Sequence, residues 1–86
     1  MNAVHKKQAR TFTLEVLKAA EGSPMPDAAL RLSLREGLPH VPMTETDIGA
    51  LIRELESEGY VRGTINSFKG TPVWILTDKG HLALPQ

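Results

Sequence analysis

The stretch "ELESEGYVRGTINSFKGTPVWILTDKG", residues 54–80, changes its hydrophobic period partway through, and that change decides the fold. Up to Gly59 it reads as the end of a charged amphipathic helix. From Tyr60 onward the period alternates. Val61, Gly63 and Ile65 fall on one side of an extended segment, with Arg62 and Thr64 on the other. In the next segment Val73 and Ile75 oppose Trp74 and Leu76. The intervening "NSFKG" has the Asn, Ser and Gly that a hairpin loop favours. Pro72 cannot donate to a ladder, so it suits a sheet edge or a strand start. Gly59 is therefore expected to end a helix, and residues 61–66 to pair antiparallel with 71–77. "TDKGHLAL" then predicts one short helix, with Thr77 as its cap.

Working upstream, the best-marked boundary lies at Thr44. Thr44 and Asp47 have the spacing of a capping box, and Met43 and Ile48 occupy the positions of a hydrophobic staple. The helix they open, "ETDIGALIRELESEG", carries an apolar stripe of Ile48, Leu51, Ile52 and Leu55. Before it, "LPHVPM" is a turn with two prolines. A second helix, "AALRLSLREG", is expected to be capped by Asp27 and ended by Gly37 and Pro39. Leu30 and Leu34 share one side of it, and Arg31 and Arg35 form a basic pair at i, i+4. The first helix is read from "QARTFTLEVLKAAEG", with Ala9, Phe12, Val16 and Ala20 at helical spacing and Thr13 and Leu17 beside them. Leu14 lies off that stripe. Gly22 stops the helix, and "SPMP" is an extended connector, because a proline disfavours helix in the residue before it.

The expected class is α+β, mostly α, in a single domain over residues 1–86: three helices, a two-stranded β-hairpin and a short C-terminal helix. Eighty-six residues suit one domain. A chain this short buries roughly two-thirds or less of its unfolded surface, so its large apolar residues must be used economically. There is no cysteine, which excludes disulfides and thiolate metal sites. No apolar run has the length of a signal peptide or a membrane-spanning helix, so a cytoplasmic protein without membrane contact is expected.

The segment "IGALIRELESEGYVRGTINSFKGTPVWILTDKGHLAL", residues 48–84, resembles the winged helix-turn-helix of MarR-like and PadR-like DNA-binding regulators. Those families carry a similar leucine-rich helix, an "LExxGYV"-like exit, a polar wing and "LTxKG" leading into the next helix. The first half of the chain is similar to them in helix order alone. It lacks their long dimerising helices, and its turn before the third helix is richer in proline. The resemblance implies a winged helix-turn-helix that binds double-stranded DNA as a transcriptional regulator or accessory factor. It also implies a third helix in the major groove and a hairpin wing on the backbone or minor groove.

With the apolar stripe turned inward, the opposite side of the third helix carries Thr46, Ala50, Arg53 and Ser57. Small side chains around one arginine allow close approach to base edges, where a guanidinium bonds guanine in a bidentate manner and methyl groups meet thymine. Arg62 and Lys69 on the hairpin are candidate contacts, with Phe68 beside them. So are Arg31 and Arg35 on the second helix and Lys6, Lys7 and Arg10 on the first, as sequence-neutral phosphate contacts.

Charge supplies the competing reading. The net charge is zero, yet residues 1–35 hold six Lys/Arg against three Asp/Glu, residues 36–59 one against six, and residues 60–86 three against one. Asp47, Glu54 and Glu58 form an acidic flank of the third helix, with Glu56 on the other side. Acidic flanks repel phosphates, so the alternative is a winged-helix protein-interaction module that docks through its acidic third helix or its hairpin. Leu14 and "HLAL" are candidate contacts of a weak homodimer. No enzyme is expected. His5, His40 and His81 lack metal-binding spacing, and no nucleophile, P-loop or dinucleotide motif occurs, so neither cofactor nor metal is expected.

Overall fold

The computed structural model describes residues 2–20, 22–65 and 70–84. Its elements run α1 (Ala3–Ala19), β1 (Met25–Pro26), α2 (Asp27–Gly37), α3 (Glu45–Ser57), β2 (Val61–Ile65), β3 (Pro72–Leu76) and α4 (Asp78–Ala83). The architecture is α+β: four helices pack with a three-stranded antiparallel sheet of order β1-β3-β2. The hairpin has the expected pairing, with Val61 opposite Leu76, Gly63 opposite Trp74 and Ile65 opposite Pro72.

The third strand of the sheet was not expected. Met25 and Pro26 of the connector pair with Trp74 and Val73, so β3 is the central strand. A two-residue strand has no periodicity of its own, and only its distant partner defines it.

Local chemistry explains the sharp boundaries of α3. Thr44 Oγ1 accepts from Asp47 N at 3.1 Å, and Asp47 accepts from Thr44 N at 3.0 Å, which closes the capping box. At the other end Gly59 takes φ +84°. Its N–H bonds Glu56 O at 3.0 Å, and Tyr60 N bonds Leu55 O at 3.0 Å. These two bonds form the Schellman arrangement, which uses a left-handed residue to turn the chain out of the helix. Tyr60 then packs on the core, and β2 begins. Thr77 repeats the capping logic for α4, accepting from Gly80 N at 3.1 Å.

Three expectations change. The first helix starts at Ala3, where Asn2 Oδ1 accepts from His5 N at 2.7 Å, rather than near Gln8. Asp27 does not cap α2: Pro26 occupies the cap position without a side-chain bond, and the Asp27 carboxylate accepts instead from Arg31 one turn along the helix and from Trp74 of β3. Leu14 is 5 % exposed and belongs to the core. It is therefore no surface contact for a second copy. The reason is that α1 packs against α2, α3, β3 and α4, so more than one of its faces is covered. Of "HLAL", Leu84 is buried and Leu82 exposed.

Leu17, Leu30, Leu34, Ile48, Leu51, Ile52 and Leu55 form the centre of the core, with Val61, Trp74 and Leu76 from the sheet. Thr13, buried among them, donates its hydroxyl to Ala9 O at 2.7 Å. Gly37 lies under the ring of Phe12, which leaves no room for a Cβ at that position.

Candidate nucleic-acid interface

The buried stripe of α3 fixes which of its residues face outward. Ile48, Leu51, Ile52 and Leu55 point into the core. At 100° per residue, the opposite strip is Thr46, Ala50, Arg53 and Ser57, all exposed. Gly49 lies at the edge of this strip, three residues after Thr46 and four before Arg53. Thr46, Gly49, Ala50 and Arg53, with Arg31 of α2, line a shallow concavity of about 340 Å³. The signal for Gly49 was its spacing from those two residues, which its lack of a side chain concealed.

A larger groove of about 530 Å³ separates α3 from the hairpin. Arg53, Glu56 and Ile52 line one wall, Gly63, Ile65, Pro72 and Trp74 the other, with Asp27, Arg31 and Gly49 at its end. The hairpin residues in it are those of the inner face of the sheet. Arg62 belongs to the outer face, opposite Ile75, and borders a separate depression with Thr77 and Asp78. The structure thus does not bring Arg62 to the exposed strip of α3. Lys69 and Phe68 lie outside the described residues.

The arginines of α2 are held by carboxylates. Arg31 Nε pairs with Asp27 Oδ2 at 2.7 Å, and its Nη1 reaches Glu45 Oε2 at 2.9 Å and Glu45 O at 3.1 Å. Arg35 Nη2 meets Glu45 Oε1 at 2.5 Å. Hydrogen bonding to Asp27, reinforced by Glu45, raises the Arg31 guanidinium above its ordinary range. The same contacts, Arg35 first and Arg31 second, hold the Glu45 carboxyl below its own. Both cations are locally compensated, so neither is free to meet a phosphate without displacing a carboxylate.

The acidic flank is compensated in the same way. Lys6 Nζ lies 3.0 Å from Glu54 Oε2, and Arg10 Nη1 lies 3.0 Å from Glu54 Oε1. Arg10 Nη2 also bonds Glu58. Asp47 is engaged in the capping box, whose bonds from Thr44, the backbone one first, lower its carboxyl. Glu56 accepts from Gly63 N at 3.3 Å. Lys6 and Arg10 of α1 therefore neutralise Glu54 and Glu58 of α3.

Arg53 differs from these cations. It is exposed and, among the described residues, makes no ion pair. It stands at the junction of the two concavities, with only short side chains along its own strip. Such an arrangement leaves a guanidinium fork available for a planar acceptor pair.

Among the described residues, no group of three or more His, Cys, Asp or Glu could hold a metal ion, and no helix is long and apolar enough to cross a membrane. Comparison with protein-family models, with curated proteins and with solved structures finds no match for this chain.

Proposed function

We propose that this chain is a small winged helix-turn-helix domain that binds double-stranded DNA, as a transcriptional regulator or accessory factor in the cytoplasm. In this reading α2 and α3 are the helix-turn-helix, α3 enters the major groove, and the β2–β3 hairpin is the wing. One observation carries it: Arg53, which makes no ion pair among the described residues, stands among the short side chains of exposed Thr46, Ala50 and Ser57, with half-buried Gly49 at their edge.

A helix with its side chains is about 10–12 Å across, close to the roughly 12 Å width of the major groove. Short residues on the contact strip let its backbone approach the base edges. Arg53 is then the guanine reader, and Thr46 and Ala50 offer methyl groups to thymine. The order of elements and the resemblance of residues 48–84 to MarR-like and PadR-like regulators support the same reading.

Internal pairing of Arg31, Arg35, Lys6 and Arg10 limits the number of phosphate contacts. Lys69, by its place in the wing sequence, is proposed as one of them. A chain of zero net charge in which Lys6, Arg10, Arg31 and Arg35 are paired with carboxylates should show a shallow salt dependence, equivalent to about two or three phosphates rather than six or more. Fluorescence anisotropy of labelled duplexes across a salt series tests this. A slope matching two or three contacts supports the reading, and absence of binding at low salt refutes it. The competing assignment, a protein-docking surface on the acidic flank, is weakened because Glu54 and Glu58 already hold Lys6 and Arg10.

A further inference from the structure

Two carboxylates on a DNA-reading helix need an account of their own. Glu54 and Glu58 sit about 70–110° around α3 from the centre of its exposed strip, at 100° per residue. Facing a duplex, that flank lies within about a Debye length of the phosphates bordering the groove, roughly 8–10 Å at moderate salt. Left bare, it would oppose binding.

The flank is not bare. Arg10 sits 24 % exposed over both carboxylates, and its Nη1 contacts Glu54 without the alignment of a hydrogen bond, so that contact is ionic. The guanidinium carbon is 6.0 Å from the Tyr60 ring centroid, a weak cation–π contact that further restricts the side chain. Lys6, one turn earlier on α1, adds a second cation on Glu54. The neighbouring Ala9 and Thr13 are buried, so the core fixes this face of α1 against α3.

We infer that Arg10, assisted by Lys6, sets the DNA affinity of α3 without touching DNA, by neutralising Glu54 and Glu58. This rests on the DNA-binding reading above. Arg10 acts without contact: its charge cancels that of the carboxylates it covers, so the phosphates face a neutral flank instead of a negative one. The effect is the same for every duplex sequence and fades with salt. Sequence preference stays with the exposed strip.

A double-mutant cycle on the full chain tests this, read by anisotropy on a preferred and a random duplex, with thermal unfolding of each variant. Arg10→Gln is expected to weaken both duplexes about fivefold at low salt, with the loss shrinking as salt rises. Arg10→Lys is expected to retain affinity. The Glu54→Gln/Glu58→Gln protein is expected to bind more tightly than wild type, and adding Arg10→Gln to it is expected to leave affinity no lower than that of wild type. A triple variant that binds more weakly than wild type means that Arg10 contacts phosphate itself and overturns the inference. Equal affinity of Arg10→Gln and wild type, with Arg53→Ala still impaired, overturns it while leaving the DNA reading intact. Failure of wild type and the carboxamide variant to bind any duplex overturns both. Should Arg10→Gln unfold, Lys6→Gln makes the same comparison from a half-exposed position.

Discussion

Trp74 donates its indole N–H to Asp27 across 3.0 Å, joining the central strand to the first turn of α2 over 47 positions of chain. The same carboxylate accepts from Arg31 Nε through its other oxygen, at 2.7 Å. Arg31 in turn reaches Glu45 at the start of α3. One carboxylate thus links β3, α2 and, through Arg31, α3, and it sets one end of the groove between α3 and the hairpin.

Asp27→Ala should therefore destabilise the fold by about 1–3 kcal/mol, since a buried indole N–H loses its acceptor and Arg31 loses its nearest anion. Asp27→Asn, which keeps an acceptor for the indole, should recover part of that loss. Chemical denaturation of the three proteins checks the order. Equal stability of Asp27→Ala and wild type would remove this link from the account.

Two glycines make opposite predictions. A Cβ at Gly63 would lie 2.5 Å from the Trp74 ring, which covers that residue across the hairpin, so Gly63→Ala should cost about 1–3 kcal/mol by overpacking. At Gly49 the nearest atom is Arg31 Nη2 at 3.4 Å, an ordinary contact, so Gly49→Ala should stabilise α3 by up to about 1 kcal/mol through helix propensity. The added methyl also narrows the strip proposed to approach DNA. Thermal unfolding should rank Gly49→Ala above wild type and Gly63→Ala below it, while DNA affinity falls for Gly49→Ala despite its greater stability.

Leu14→Ala should destabilise by about 2–5 kcal/mol, the cost of a buried leucine, and leave the association state unchanged. Denaturant titration with sedimentation velocity separates the two effects. A stable variant that differs only in self-association would return Leu14 to the surface.

Why some of this was legible and some was not follows from the range of the interactions. The ends of α3 and the cap of α4 rest on contacts within a few residues: Thr44 with Asp47, Gly59 with Glu56, Thr77 with Gly80. Those are visible as spacings. The strand at Met25–Pro26, the turn of Asp27 toward Trp74 and the burial of Leu14 depend on partners far along the chain, and no local pattern encodes them. Asp27 misled for a specific reason, because a capping residue and a first-turn acid look alike in sequence. The segregation of charge was visible, but its meaning was not. Only the packing of α1 beside α3 turns Lys6 and Arg10 from free cations into partners of Glu54 and Glu58.

Acid should expose the carboxylate network. Bonds from Arg35 and Arg31 lower the Glu45 carboxyl from its ordinary 4.5, and the capping bonds from Thr44 lower that of Asp47 from 3.8. A depressed folded value means that the stabilisation is fully present above the unfolded value and is lost as pH falls through the folded one. Thermal midpoints measured from about pH 7 to about pH 3 should fall more steeply for wild type than for Glu45→Gln/Asp47→Asn. Parallel curves would show that these carboxylates add nothing that acid can remove.

The central claim is that α3 reads base edges through Arg53, and its most direct test compares Arg53→Ala with Arg62→Ala. Binding-site selection from random duplexes identifies a preferred sequence, and titrations on it and on random DNA follow. Arg53→Ala should cost about 1–3 kcal/mol on the preferred site and much less on random DNA, because a lost guanine contact is specific. Arg62→Ala, on the outer face of the sheet and away from the strip, should leave sequence preference unchanged. An Arg53→Ala protein that discriminates between the two duplexes as well as wild type does would contradict the account.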